Sequence, residues 1–267
     1  MRKFPLILGT WALGFALAAQ TPAPRMELAA ATAVGPAVAD DAEVARYLAP
    51  LAEKIHASFG RVLGTSPNGI GKSRTAGDNP LGFFLADVMR EGATKVAKAE
   101  VRFAFTNTGG LRRNINPGDV KVQDIFEVLP FDNELVIAEY TGAEVIQIIK
   151  EGIQRRGGEP FSGARASVTG TPDHPVVSIT WSDGTAIDPA ATVKVATTDY
   201  LLANGDGTPT LKTGRNVVLT GQPVRQLVID VCERLGRERK PIQPEEGARY
   251  IYSPEIAAAL KASTFKF

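Results

Sequence analysis

Two glycines and two arginines stand where an apolar alternating run ends: VRFAFT is followed at residues 107–114 by NTGGLRRN. Glycines at Gly109 and Gly110 let backbone N–H groups converge on an anion. The planar guanidinium of Arg112 can fork onto a phosphate through two parallel hydrogen bonds. The end of a strand is also where α/β sheets bind their ligands, so the position suits the chemistry. A surface turn with solvated arginines is the competing reading of the same residues. In VLPFDNELV, Phe131 stands between Pro130 and Asp132-Asn133 at the mouth of the next strand. It is either a core phenylalanine or a ring on which a base stacks. In TTDYLLANGDGTPTL a strand ends at Asp199 and a Gly-rich turn follows, Asn204 to Gly207, which is either a plain turn or a device that sets Asp206 against a sugar hydroxyl or a backbone.

Little else in the chain is equipped for catalysis. The two histidines, His56 on a helix surface and His174 in a turn, belong to no metal-ligand pattern. Ser66-Pro67 and Ser162-Gly163 have no histidine at motif spacing, and Glu245-Glu246 reads as a solvated pair in a Pro-rich loop. Cys232 is the single cysteine, which excludes intramolecular disulfides. With Val224, Leu227, Val228, Val231 and Leu235 at helical spacing around it, it reads as a buried structural thiol.

The elements that must position these stretches are legible from periodicity. Val44, Tyr47, Leu48, Leu51, Ile55 and Phe59 predict an amphipathic helix behind an Asp cap, interrupted at Pro50. Asp78 or Asn79 caps a second helix with Pro80 in its first turn. Strands are predicted over 101–107, 134–142, 176–181 and 193–199, with helices over 142–156 and 222–237. This irregular alternation predicts an α/β to α+β domain, a mixed sheet with helices.

Composition sets the outer bounds. With 44% hydrophobic and 22% charged residues the chain can bury a proper core. Thirty basic against 29 acidic residues give no polyanion-binding field, so nucleic acid is excluded as a partner and any bound anion is small and locally held. Arg2 and Lys3 precede an apolar stretch from Phe4 to Ala19 that ends in Ala16-Leu17-Ala18, the pattern of a signal peptide over 1–18. It is shorter than a membrane span and contains Pro5, Gly9 and Gly14. Residues 19–39 are an Ala/Pro-rich linker and 40–267 the folded domain. The expectation is an exported, periplasmic or secreted chain with no membrane span once the signal is removed.

Taken in order, GDNPLGFFLADVMR, FTNTGGLRRNI, VLPFDNELVIAEYTGAEV and DYLLANGDG resemble the C-terminal, substrate-specificity domain of the 5'-nucleotidase family, which includes UDP-sugar hydrolases and 2',3'-cyclic-nucleotide phosphodiesterases. The resemblance implies that Asn107, Gly109, Gly110 and Arg112 hold phosphate and ribose. It further implies that Arg74 helps grip phosphate, that Phe131 is one face of a base sandwich with Asn133 beside it, and that Asp206 joins the substrate site. Arg113 is expected to be solvated. The chain departs from the family pattern where Thr208 follows the NGDG turn in place of the second stacking ring, and where Gly82-Phe83-Phe84 lacks a polar group. A one-sided sandwich is therefore expected.

Full-length members of the family carry a metallophosphoesterase domain, and the resemblance implies that this domain is missing here. No catalytic residue, metal ligand or cofactor is then expected in this chain. Zn- or Mn-type ions belong only to a separately encoded metallophosphoesterase partner, and the ligand is a nucleotide or nucleotide-sugar. The alternatives are a non-catalytic periplasmic nucleotide-binding protein and a scaffold protein whose site is a relic.

Overall fold

The structure, a computed structural model, describes residues 35, 38–73, 77–245 and 247–265. The stretch expected to be a signal peptide, most of the expected linker and Arg74 lie outside the described residues. By contacts the chain divides into two units, Met1–Tyr47 and Leu48–Phe267, and the fold that carries the site belongs to the second.

In chain order the elements are α1 (Ala42–Phe59), β1 (Val62–Ser66), α2 (Pro80–Ala97) and β2 (Phe103–Phe105), then β3 (Gly118–Lys121), α3 (Val122–Val128), β4 (Glu134–Thr141) and α4 (Gly142–Arg156). They continue with β5 (Phe161–Ser162), β6 (Ala164–Thr171), β7 (His174–Trp181), β8 (Thr192–Thr198) and α5 (Asp199–Asn204). The chain closes with β9 (Arg215–Pro223), α6 (Val224–Arg237), β10 (Tyr250–Tyr252) and α7 (Pro254–Lys261). Two short 3-10 turns, Thr108–Gly110 and Pro209–Thr213, follow β2 and α5.

A five-stranded mixed sheet in the order β5-β2-β8-β4-β9 forms the centre. Its strands alternate with period two, and each face has its own core. Ala104, Leu135, Ile137 and Ala196 point to one side, where Phe84, Leu85 and Met89 of α2 and Val228, Ile229 and Cys232 of α6 cover them. Phe103, Phe105, Ala138, Tyr140, Val193 and Val195 point to the other, under Val145, Ile148, Ile149 and Ile153 of α4. The same core takes in Ala166, Val168 and Trp181 from a three-stranded sheet of order β10-β6-β7. The mixed α/β class expected from the sequence is what the chain adopts.

Several local expectations need correction. The strand expected over 101–107 is paired only over Phe103–Phe105, and beyond it Thr106 N–H still donates to Pro160 O at 3.0 Å before the chain enters the 3-10 turn at Thr108. Asp199 begins α5 instead of ending a strand, since the Thr198 hydroxyl caps that helix by accepting from Leu201 N at 3.2 Å. His174 is not in a turn but opens β7, opposite Thr171. Of the two cap candidates for α2, Asn79 does the capping and accepts from Gly82 N at 3.0 Å.

The junction of β4 with α4 is a capping box. Thr141 Oγ1 accepts from Glu144 N at 3.2 Å, and Glu144 accepts from Thr141 N at 2.7 Å, so two otherwise unpaired helix donors are satisfied together. Arg215 of β9 adds two hydrogen bonds to the same carboxylate, at 2.9 and 2.6 Å. The arginine, first among several causes, lowers the Glu144 pKa to about 2. A carboxyl whose folded pKa lies below its unfolded one stabilises the fold above the unfolded value, and loses that contribution as pH falls through the folded one. Replacing Glu144 with Gln is therefore expected to lower stability at neutral pH. The gap to wild type should narrow as pH drops from about 5 toward 2, as followed by urea unfolding across pH.

Candidate functional site

Three loops meet at one edge of the central sheet because of how its strands run. β2 and β8 are parallel, with Phe103 opposite Val195 and Ala104 opposite Ala196, so their C-terminal ends, leading to Asn107 and to Asp199, lie side by side. β4 is antiparallel to β8, with Leu135 opposite Thr198, so the start of β4 and the Phe131–Asn133 segment before it come to the same edge. α4 then runs back from the far end of β4 and returns Arg155 there.

A cavity of about 440 Å³ lies where these loops converge. Of the eight residues singled out in the sequence, the seven that are described all line it: Asn107, Gly109, Gly110, Arg112, Phe131, Asn133 and Asp206. Arg155 and Tyr200 complete the lining, and neither was found by sequence reasoning. Tyr200 adds a second aromatic ring to the lining, where Thr208 adds none: Thr208 is buried at 1% exposure, whereas Tyr200 is 45% and Phe131 44% exposed.

The Gly-Gly turn works differently from a nest of free N–H groups. Gly110 N–H is bonded to Asn107 O at 3.3 Å. Among the described residues no partner takes the Gly109 N–H, which leaves one backbone donor and not two. The smallness of the glycines serves close approach to Asn107: a Cβ on Gly110 would stand 3.1 Å from its Oδ1. Asn107 Nδ2 in turn donates to Asp206 Oδ2 at 2.5 Å across 99 residues of sequence. Thr108 ties the turn to α2, its Oγ1 accepting from the Asn79 side chain at 3.1 Å.

Arg112 lies with its guanidinium carbon 4.9 Å from the centroid of the Phe131 ring, so a cation and an aromatic face share one wall of the cavity. Arg113 is exposed to solvent, as expected, and pairs there with Glu127 at 2.5 Å. Arg225, at the start of α6, anchors the Phe131 segment from behind. It donates to Leu129 O at 2.9 Å, pairs with Asp132 and lies 4.0 Å over the Phe126 ring. Its distance in sequence from the motif hides this role. Arg225→Ala is expected to cost about 2 kcal/mol, the scale of a lost charged hydrogen bond, and to speed amide exchange at Leu129, whose N–H bonds to Ile125 O. Urea unfolding with hydrogen exchange checks this, and unchanged exchange at Leu129 would contradict it.

Groups capable of nucleophilic chemistry are otherwise occupied. Ser66 donates to Ile242 O at 2.8 Å, and Ser162 sits between Asp87 and Arg90 at 2.5 and 2.7 Å. Burial pushes the Cys232 thiol up to about 12, so it stays protonated at neutral pH. His56 is exposed on α1. Among the described residues no three His, Cys, Asp or Glu side chains gather as a metal site, and no helix is long and apolar enough to cross a membrane.

Known proteins resemble parts of this chain in sequence or in fold. The Bacillus subtilis trifunctional nucleotide phosphoesterase protein YfkN is 30% identical over 172 residues, covering 60% of this chain and 12% of that protein. Escherichia coli protein UshA is 32% identical over 132 residues, covering 48% of this chain and 24% of its own length. The crystal structure of the 5'-nucleotidase precursor from Thermus thermophilus matches the fold with a TM-score of 0.65 at 23% identity, over 79% of this chain and 43% of that one. The chain thus spans less than half of each relative. The profile described as 5'-nucleotidase, C-terminal domain, matches residues 62–213, more than half of the sequence, and the chain belongs to that family.

Proposed function

We propose that the cavity binds a nucleotide or nucleotide-sugar, and that the chain is the specificity-determining part of a 5'-nucleotidase-type phosphoric-ester hydrolase. The observation that carries this reading is the meeting, in one cavity, of a cation, two half-exposed aromatic rings and a carboxylate already joined to Asn107. On this reading Arg112 and the Gly109 N–H hold the phosphate, with a charge-assisted fork available only to the arginine. Phe131 stacks on the base, Tyr200 supplies the second ring that Thr208 does not, and Asn133 supports the turn. The Asp206 carboxylate has acceptors only and suits the sugar hydroxyls, which are donors. Arg74 joins the phosphate grip from the segment ahead of α2.

Hydrolysis on this reading falls to a metallophosphoesterase chain that docks over the cavity and brings the metal-activated water. The part played by this chain's own residues is to hold and orient the ester, which is the positional share of catalysis. The signal-like start supports export to the periplasm or outside the cell, where such a partner would also reside.

Calorimetry with AMP, ADP, UDP-glucose and inorganic phosphate tests the binding claim. A nucleotide heat is expected for wild type, lost in Arg112→Ala and weakened roughly tenfold or more in Phe131→Ala, the scale of one base-aromatic stack. Silence with every ligand would overturn it. The division of labour is tested separately. The pure chain with Mn²⁺ or Zn²⁺ should release no phosphate from AMP, and release should begin once a partner metallophosphoesterase is added. Strong turnover by the chain alone would contradict it.

A further inference from the structure

A closed ring of polar contacts lies beneath the cavity, and part of it belongs to no ligand-facing residue. Glu159, fully buried, accepts from Thr108 N at 2.7 Å and from Thr108 Oγ1 at 2.6 Å. Arg155, on the last turn of α4, stands 3.6 Å from Glu159 and donates to Asp206 Oδ1 at 2.8 Å and to the Asp206 carbonyl oxygen. Asp206 accepts from Asn107 at 2.5 Å, and Asn107 precedes Thr108 in the chain. The circuit runs Thr108, Glu159, Arg155, Asp206, Asn107 and back, joining the Gly-Gly turn to the NGDG turn.

Backbone conformation explains why such a circuit is needed. Gly205, Asp206 and Gly207 have φ of 73°, 42° and 84°, so three successive residues are left-handed, and the middle one carries a side chain. That is a strained run for an L-residue, which persists only where the surroundings over-determine it. Arg155 grips both the carbonyl and the carboxylate of the strained residue. Gly207 has no room for a side chain there, because a Cβ would come within 2.6 Å of Arg155 Cδ. At the other end, Gly157 and Gly158, with φ of 72° and 135°, turn the chain sharply after α4 and bring Glu159 back under Thr108. A Cβ on Gly158 would stand 2.8 Å from the Tyr250 ring. A buried carboxylate is costly unless hydrogen-bonded and near a cation, and Glu159 has both.

We infer that Arg155 and Glu159 are positioning residues that lock Asp206 and Asn107 into the geometry the ligand meets, with Arg155 acting through Asp206 and not on the phosphate. This rests on the nucleotide reading of the cavity. It assigns to α4, whose first turns lie at the far end of the sheet, control over the sugar side of the site. A bidentate contact is the reason the cation is arginine: a lysine has one point charge and reaches the carbonyl or the carboxylate, not both at once.

Two measurements on Arg155→Met, Arg155→Lys and Glu159→Gln test the inference. The first needs no ligand: amide exchange at Gly205 and Thr208, whose N–H groups bond to Leu201 O and Gly205 O, should quicken in Arg155→Met while α6 amides keep their protection. Thr108 exchange should quicken in Glu159→Gln, and Arg155→Lys should fall between wild type and Arg155→Met. Unchanged exchange in the NGDG turn would overturn the inference even if AMP proves not to bind at all, an outcome that would sink the nucleotide reading separately. The second compares AMP, 2',3'-dideoxy-AMP and inorganic phosphate by calorimetry. Arg155→Met should lose the preference of wild type for AMP over the dideoxy compound, by about tenfold, with phosphate affinity unchanged. An equal loss for AMP and phosphate would make Arg155 a direct phosphate ligand, and an unchanged AMP preference would leave the circuit without a role in binding. Either result contradicts the inference. Because Glu159 is fully buried, its variant is the one at risk of not folding, and the two Arg155 variants keep both tests open.

Discussion

The parallel pairing of β2 with β8, with β4 antiparallel beside them, is the constraint on which the site depends. Strand direction alone decides which loops share an edge, and here it brings together segments near residues 107, 131 and 206. None of the three carries enough chemistry by itself. The pairing is held from both sides by apolar side chains that alternate along each strand, so a slip of one residue would turn each core face toward the wrong layer. The register that keeps the core dry is thus the same register that assembles the cavity.

Within the cavity the charges are arranged in a graded way. Arg112 keeps its guanidinium on an aromatic face and, among the described residues, forms no ion pair, so it presents a cation with little competition from the carboxylates described. Arg155, by contrast, is committed to Asp206 and Glu159. Two arginines on one cavity therefore differ in function because their partners differ. The same reasoning separates Asp206, which has both carboxylate oxygens engaged by protein donors and keeps spare lone pairs for hydroxyl donors, from Asp132, which is exposed and serves Arg225.

Much of the positioning frame was legible in the sequence, because long periodic helices and strands announce themselves. The α2 and α6 helices and the core strands β4, β7 and β8 follow the expected spans with small shifts at their ends. β9 and the β6 and β10 strands of the smaller sheet were not expected: β9 is exposed along nearly its whole length, β10 is three residues long, and β6 alternates but buries small alanines, Ala164 and Ala166, in two of its three inward positions. β9 bends twice against β4, which also blurs its pattern. At the cavity, the glycines, Phe131 and Asp206 were legible as local turn chemistry. Arg155, Glu159 and Arg225 were not, for a physical reason: their roles come from contacts made 51 to 96 residues away, which only the strand order creates. Tyr200, eight residues before Thr208, reaches the cavity from the first turn of α5, a position that turn chemistry does not mark.

The central claim is that these residues form one nucleotide-binding surface, and a backbone chemical-shift titration with AMP reads it residue by residue. The account predicts saturable shifts confined to the turns around Gly109, Phe131, Tyr200 and Asp206, with the remote β6–β7 hairpin silent. Shifts that never saturate, or that centre away from this cavity, would contradict it.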